Sequence, residues 1–154
     1  MSLPLQVAVS DLHARYAHAL DEDRLEAWPD FFTEHGIYRI ATAENEARGL
    51  PAPILFAQGR AMLRDRVASL RHANIYEPQR YRHMVSSVLL AEPAGDAVTV
   101  KSNFLVIRIM ENGETSMFAS GVYRDRISLS KMQYEERVVV CDSRRFDTLL
   151  AIPL

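Results

Sequence analysis

The chain has 154 residues, 48% of them hydrophobic and 25% charged, with a net charge of −2; this is the composition of one globular domain with a real core, and it offers no basic surface for nucleic acid or membrane. No apolar run approaches the roughly 20 residues that span a bilayer, and MSLPLQVAVSDLH has no basic region followed by a long apolar run, so neither a membrane span nor a signal peptide is expected. The single cysteine, Cys141, excludes an internal disulfide and any multi-cysteine metal site, and these features together point to the cytoplasm.

Leu5, Val9, Leu12, Tyr16 and Leu20 recur at helical spacing and predict a helix from about Pro4 to Asp21. Pro4 stands where a first turn tolerates it, and Asp21-Glu22-Asp23 breaks the helix. RLEAWPDFF, residues 24–32, reads as a second short helix with a kink at Pro29. His35-Gly36 then turns the chain into a short strand over residues 37–42. Residues 43–58, with Gly49, Pro51 and Pro53, read as a long irregular connection of the kind usually reserved for function or an interface. A third helix over residues 59–73 buries Leu63, Val67 and Leu70 and shows Arg64, Arg66 and Arg71.

The C-terminal half reads as strands. In AVTVKSNFLVIRIM, residues 97–110, Val98, Val100 and Phe104 share one parity and Thr99, Lys101 and Asn103 the other, the two-residue period of a strand with one wet face. Similar runs cover residues 82–92, 115–125 and 131–142, with joints at Pro93–Asp96, Asn112-Gly113 and Ser128–Ser130; joints this short favour antiparallel neighbours. Helices before an antiparallel sheet predict a single α+β domain over residues 1–154, its curved sheet wrapped around the N-terminal helices as a partly open cone. The apolar ending, residues 149–154, is expected in a final strand or buried at an interface.

At this point the residues carry a likeness. Tyr16–Asp21 (YAHALD), Leu25–Trp28 (LEAW), Phe32–Tyr38 (FTEHGIY), Met62–Val67 (MLRDRV), Tyr81–Ser86 (YRHMVS), Val100–Val106 (VKSNFLV), Ala119–Asp125 (ASGVYRD) and Arg145–Leu154 (RFDTLLAIPL) run through nearly the whole chain. In that order they resemble the small (β) subunit of aromatic-ring-hydroxylating dioxygenases, which has the cone-shaped nuclear-transport-factor-2-like (NTF2-like) fold. The ending and Glu135-Glu136-Arg137 look most like the branch acting on benzoate, anthranilate or terephthalate. Residues 43–58 depart from the pattern. The resemblance implies a non-catalytic subunit that builds an α3β3 hexamer with a large (α) subunit. That partner holds a Rieske 2Fe–2S cluster and a mononuclear Fe(II), and uses NAD(P)H-derived electrons and O2 to make a cis-dihydrodiol.

The residues agree that such chemistry is carried elsewhere. A Rieske centre takes two Cys and two His, and this chain has one cysteine. His13 and His18 are five apart, on different sides of the first helix, and His35, His72 and His83 stand alone, so the two-His-one-carboxylate set is not expected either. Cys141 beside Val138-Val139-Val140 reads as a buried, inert thiol, and Gly121 inside a strand as a point of close packing. No catalytic, cofactor or metal residue is assigned. Arg64, Tyr81, Arg82, His83 and Arg137 are the candidates for subunit contacts. The competing possibility is a free-standing enzyme resembling ketosteroid isomerase or scytalone dehydratase, with Tyr16, Tyr38, His83 and Asp125 in one pocket; a small-ligand binding dimer is the third.

Overall fold

A computed structural model describes residues 3–50, 53–72, 78–143 and 152–154. They form α1 (Leu3–Asp21), a 3-10 helix (Leu25–Phe31), β1 (Phe32–Thr42), α2 (Ala43–Ala47), β2 (Leu55–Gln58), α3 (Arg60–His72), β3 (Gln79–Leu90), β4 (Ala97–Met110), β5 (Thr115–Ser128) and β6 (Gln133–Cys141). The strands make one six-stranded sheet in the order β2-β1-β6-β5-β4-β3. The α+β arrangement expected from the residues is present, and β3 to β6 pair antiparallel as their short joints require. One joint departs from it: β1 pairs β6 in parallel, which makes the sheet mixed. Local turn signals announce hairpins, and none announces a pairing between strands separated by most of the chain.

α1 turns Val9, Leu12, Tyr16, Ala19 and Leu20 inward, all buried. Its end is closed by backbone geometry. Asp23 adopts φ 60°, and the amides of Arg24 and Asp23 return to the carbonyls of Ala19 and Leu20 at 2.8 and 3.2 Å, a Schellman closure that satisfies two otherwise orphaned carbonyls. The 3-10 helix then drops Leu25 and Trp28 into the core, and Pro29 lies inside it. Trp28 meets the rings of Phe32 and Tyr38 edge-on at 5.7 and 5.0 Å.

Two expectations are corrected here. β1 starts at Phe32 rather than beyond His35-Gly36, because that dipeptide is an irregularity within the strand; the register against β6 shifts between Phe32 and Ile37. A Cβ on Gly36 would lie 2.9 Å from Phe32 Cβ and 3.0 Å from the Tyr134 carbonyl, so the backbone passes too close for a side chain. Residues 43–58 are not irregular throughout. Thr42 caps α2, its Oγ1 accepting from the Asn45 amide at 3.1 Å, and β2 returns antiparallel to β1.

Register shifts between Ser86 and Leu89, Val106 and Ile107, and Arg126 and Ile127 bend the sheet around the helices. At Gly121 the strands press together: a Cβ there would sit 1.9 Å from the Val140 carbonyl oxygen. Residues 149–151 of the apolar ending lie outside the described residues. Ile152 and Leu154 are in no strand, and both are buried against the chain's own core. Their burial therefore needs no neighbouring molecule.

Candidate functional site

The interior of the cone is built around a charge. Arg137 on β6 is opposite Asp125 on β5 in the strand register, so both side chains rise from one face of the sheet. Neither side chain is exposed at all. Arg137 Nε and Nη2 donate to the two carboxylate oxygens of Asp125 at 2.8 and 2.9 Å, a two-pronged pair. The guanidinium lies over three phenol rings, with centroid distances of 3.7 Å to Tyr123, 4.2 Å to Tyr134 and 4.3 Å to Tyr16. Burial raises the Asp125 carboxyl above its ordinary range and Arg137 draws it back. Burial also works against the Arg137 charge, and Asp125 more than offsets it, leaving the guanidinium well above its usual value. The fork geometry is that of an ionised pair, and on that ground we take both groups as charged.

His13 completes this cluster. Its Nδ1 lies 2.7 Å from the Tyr134 hydroxyl and 3.2 Å from Arg137 Nη2. A guanidinium only donates, so Nδ1 is the acceptor and the proton sits on Nε2, 3.7 Å from Asp125 Oδ2. Burial, aided by the Arg137 charge, lowers the pKa of His13 to about 2 and keeps it neutral. Position 13 falls on the buried stripe of α1 beside Leu12 and Tyr16, and that spacing was the available signal for its burial.

The four residues of the isomerase-like pocket do not come together as a catalytic set. The Tyr16 hydroxyl donates to the Leu154 carbonyl at 2.8 Å and accepts from Trp28 Nε1 at 3.1 Å. The Tyr38 hydroxyl donates to the same carbonyl and accepts from the Leu154 amide, both at 3.0 Å. Asp125 is engaged by Arg137, and His83 by Asp21. Asp21, read from the sequence only as a helix breaker, accepts from His83 Nδ1 at 2.6 Å and from the His83 amide at 2.9 and 3.1 Å. His83 therefore does not stand alone. Cys141 is buried, and burial with the Asp142 carboxylate pushes its thiol up to about 12, an inert group as expected.

A SnoaL-like domain matches residues 1–133. The beta 1 subunit of the terminal oxygenase component of terephthalate 1,2-dioxygenase from Comamonas sp. is 43% identical over 153 residues, covering 97% of this chain and 98% of the relative. The small subunit of anthranilate 1,2-dioxygenase from Burkholderia cepacia is 41% identical over 145 residues, covering 93% and 90%. A crystal structure described as the beta subunit of an aromatic-ring-hydroxylating dioxygenase from Novosphingobium aromaticivorans superimposes with a TM-score of 0.89 at 35% identity over 97% of each chain. The chain belongs to the beta subunits of aromatic-ring-hydroxylating dioxygenases.

The donor set of this beta subunit does not fit the iron centres that its family uses. With one buried thiol it has no Rieske ligand set. His13 is spent on Tyr134 and faces a guanidinium, while His83 with Asp21 makes one imidazole and one carboxylate. Among the described residues no three His, Cys, Asp or Glu side chains converge as a metal site. No helix among them is long and apolar enough to cross a membrane.

Of the contact candidates, Arg64 on α3 and Arg82 on β3 are exposed. Tyr81, His83 and Arg137 are 2%, 6% and 0% exposed, their side chains packed within the chain's own core. The sequence pattern Glu135-Glu136-Arg137 resembles a wet strand edge, and the carboxylate that draws Arg137 inward lies on a different strand.

Proposed function

We propose that this beta subunit works as a non-catalytic scaffold of a terminal oxygenase, holding large (alpha) subunits in an α3β3 hexamer. The alpha subunit carries the Rieske 2Fe–2S cluster and the mononuclear Fe(II), and the complex acts on an aromatic carboxylate in the cytoplasm. The observation that carries the reading is the filled interior. In the place where a cone-shaped enzyme would keep a pocket, Arg137, Asp125, His13 and a set of phenol rings are locked to one another, and Leu154 occupies both Tyr16 and Tyr38. On the exterior, Met84 and Leu89 on β3 and Met117 on β5 are 51%, 67% and 73% exposed, apolar side chains that a neighbouring subunit would cover. Obligate interfaces of this kind bury on the order of 2,000 Å² or more. The substrate class follows the terephthalate and anthranilate relatives.

The test is co-expression with the adjacent large-subunit gene, followed by mass and iron measurement on the complex and on each chain alone. The expected result is an equimolar hexamer whose iron all belongs to the large subunit, with this chain colourless and inert by itself. Iron bound by the isolated chain, or turnover without a partner, would overturn the reading.

A further inference from the structure

The outer face of β4 changes character along its length. Thr99, Lys101 and Asn103 are exposed and polar, and the next outward residues, Leu105, Ile107 and Ile109, are apolar and half-buried. The register extends the apolar half sideways. Leu105 lies between Met84 on β3 and Ser120 on β5, and Ile107 between Arg82 and Met117. Directly opposite residues share a face, so Met84 and Met117, 51% and 73% exposed, join the β4 residues in one patch. The helices leave it bare: α1 packs inside the cone, and α2 and α3 sit against the β1 side of the sheet. Charges stand at the two ends of this stretch of β4. Lys101 precedes the apolar residues, and Glu111 and Glu114, in the turn that leads to β5, follow them. All three are exposed, and none makes an ion pair among the described residues. Along β4 and its turn the face therefore runs positive, apolar, negative, an order complementary to its own reverse.

We propose that this face binds a second copy of the chain, the two sheets stacked outer face to outer face about a two-fold axis that crosses the strands at Leu105. Met117 is opposite Ile107 and Val122 is opposite Asn103, two residues to either side of Leu105, so Met117 of each copy lies over Val122 of the other. Met84 meets its own counterpart. Lys101 of each copy comes within reach of Glu111 of the other, once at each end. Arg80 and Arg82, on the β3 margin, fall over Leu89 and Ser86 rather than over cations. Residues 101–111 at about 3.3 Å each, on three strands about 4.8 Å apart, give a face on the order of 500 Å² per copy and 1,000 Å² in all. That is the lower limit of a specific interface, so the pair is weak and reversible. The inference goes beyond the scaffold role and does not rest on it. Hexamer assembly is read from the complex, and this pairing from the chain alone, so either can fail without the other.

The test is sedimentation equilibrium of the full chain alone, from about 1 to about 200 μM. The expected result is a monomer–dimer equilibrium with a Kd in the micromolar range. Met117→Asp, at a position 73% exposed, should weaken the dimer at least about tenfold while circular dichroism stays that of the parent. Lys101→Glu should weaken it to a similar extent, since like charges would then meet at both ends. Lys101→Glu combined with Glu111→Lys and Glu114→Lys exchanges the two ends and should restore the parent's Kd. The proposal is overturned if the chain stays monomeric throughout, if it forms a trimer, if Met117→Asp associates as the parent does, or if the charge-exchanged variant stays as weak as Lys101→Glu.

Discussion

Removing the Arg137 charge from water carries a large penalty, and the surroundings of its guanidinium show how that penalty is met. Asp125 takes two of its N–H groups, and three phenol rings stack on it. Arg137→Met alone should leave a buried, unpaired carboxylate and cost about 3–5 kcal/mol, measured by urea unfolding. Adding Asp125→Leu should recover a large part of that loss, since an apolar pair of similar volume has no charge to satisfy; a double variant as unstable as the sum of the singles would contradict the pairing. His13 adds a pH term. Its ring stays neutral in the folded chain down to about pH 2, while in the unfolded chain it takes a proton near its ordinary 6.5. Below 6.5 the unfolded state therefore holds one more proton, so stability is complete above that value and falls as pH drops, by about 1.4 kcal/mol per pH unit. His13→Gln should flatten the fall in urea midpoint between pH 6.5 and 4 by about that slope. The stripe of Val9, Leu12, Tyr16 and Leu20 was plain in the sequence, and His13 lay on it. Arg137 was not legible as a core residue, because a charged side chain in a strand is ordinarily wet and its compensating partner is set by register, which sequence spacing does not reveal.

The strands succeed or fail as elements according to how their signals are carried. β4 alternates cleanly, with its inward residues Val98, Val100, Phe104 and Val106 all buried, and its bounds follow from the residues. β1 and β2 were less visible. β1 carries an irregularity where a turn was expected, and β2 has only four residues, too few for a period to stand out. The capping signal for α2, Thr42 three residues before Asn45 with Glu44 and Glu46 in the first turn, is short and is masked by the Pro- and Ala-rich stretch around it. Gly121 is the strongest constraint at this scale. Gly121→Ala places a methyl group 1.9 Å from the Val140 carbonyl oxygen, and neither backbone can yield without parting β5 from β6. The loss should be about 3 kcal/mol or more, visible as a lower Tm, with amide exchange accelerated first in those two strands. An unchanged Tm would mean that the strands have slack which the geometry denies.

For the whole molecule, the fold and the family were readable because the motifs ran through the chain in order, whereas the inward fate of Ile152 and Leu154 was not, since an apolar ending reads the same whether it covers its own core or a neighbour's. Among the subunit-contact candidates the exposed arginines are the ones to test. Arg64→Glu and Arg82→Glu should each lower the fraction of hexamer by size exclusion while leaving the iron content of the large subunit unchanged; two undisturbed hexamers would remove both positions as anchors. The parallel joint between β1 and β6 has a consequence for the order in which the protein is made. β1 is an early segment whose second flank, β6, comes after the other described strands in chain order, so residues 43–132 must be synthesised before Tyr38 and Ile40 are enclosed. Nascent chains arrested after β5 should be cut by protease throughout β1, and protection should arrive in one step once β6 has emerged.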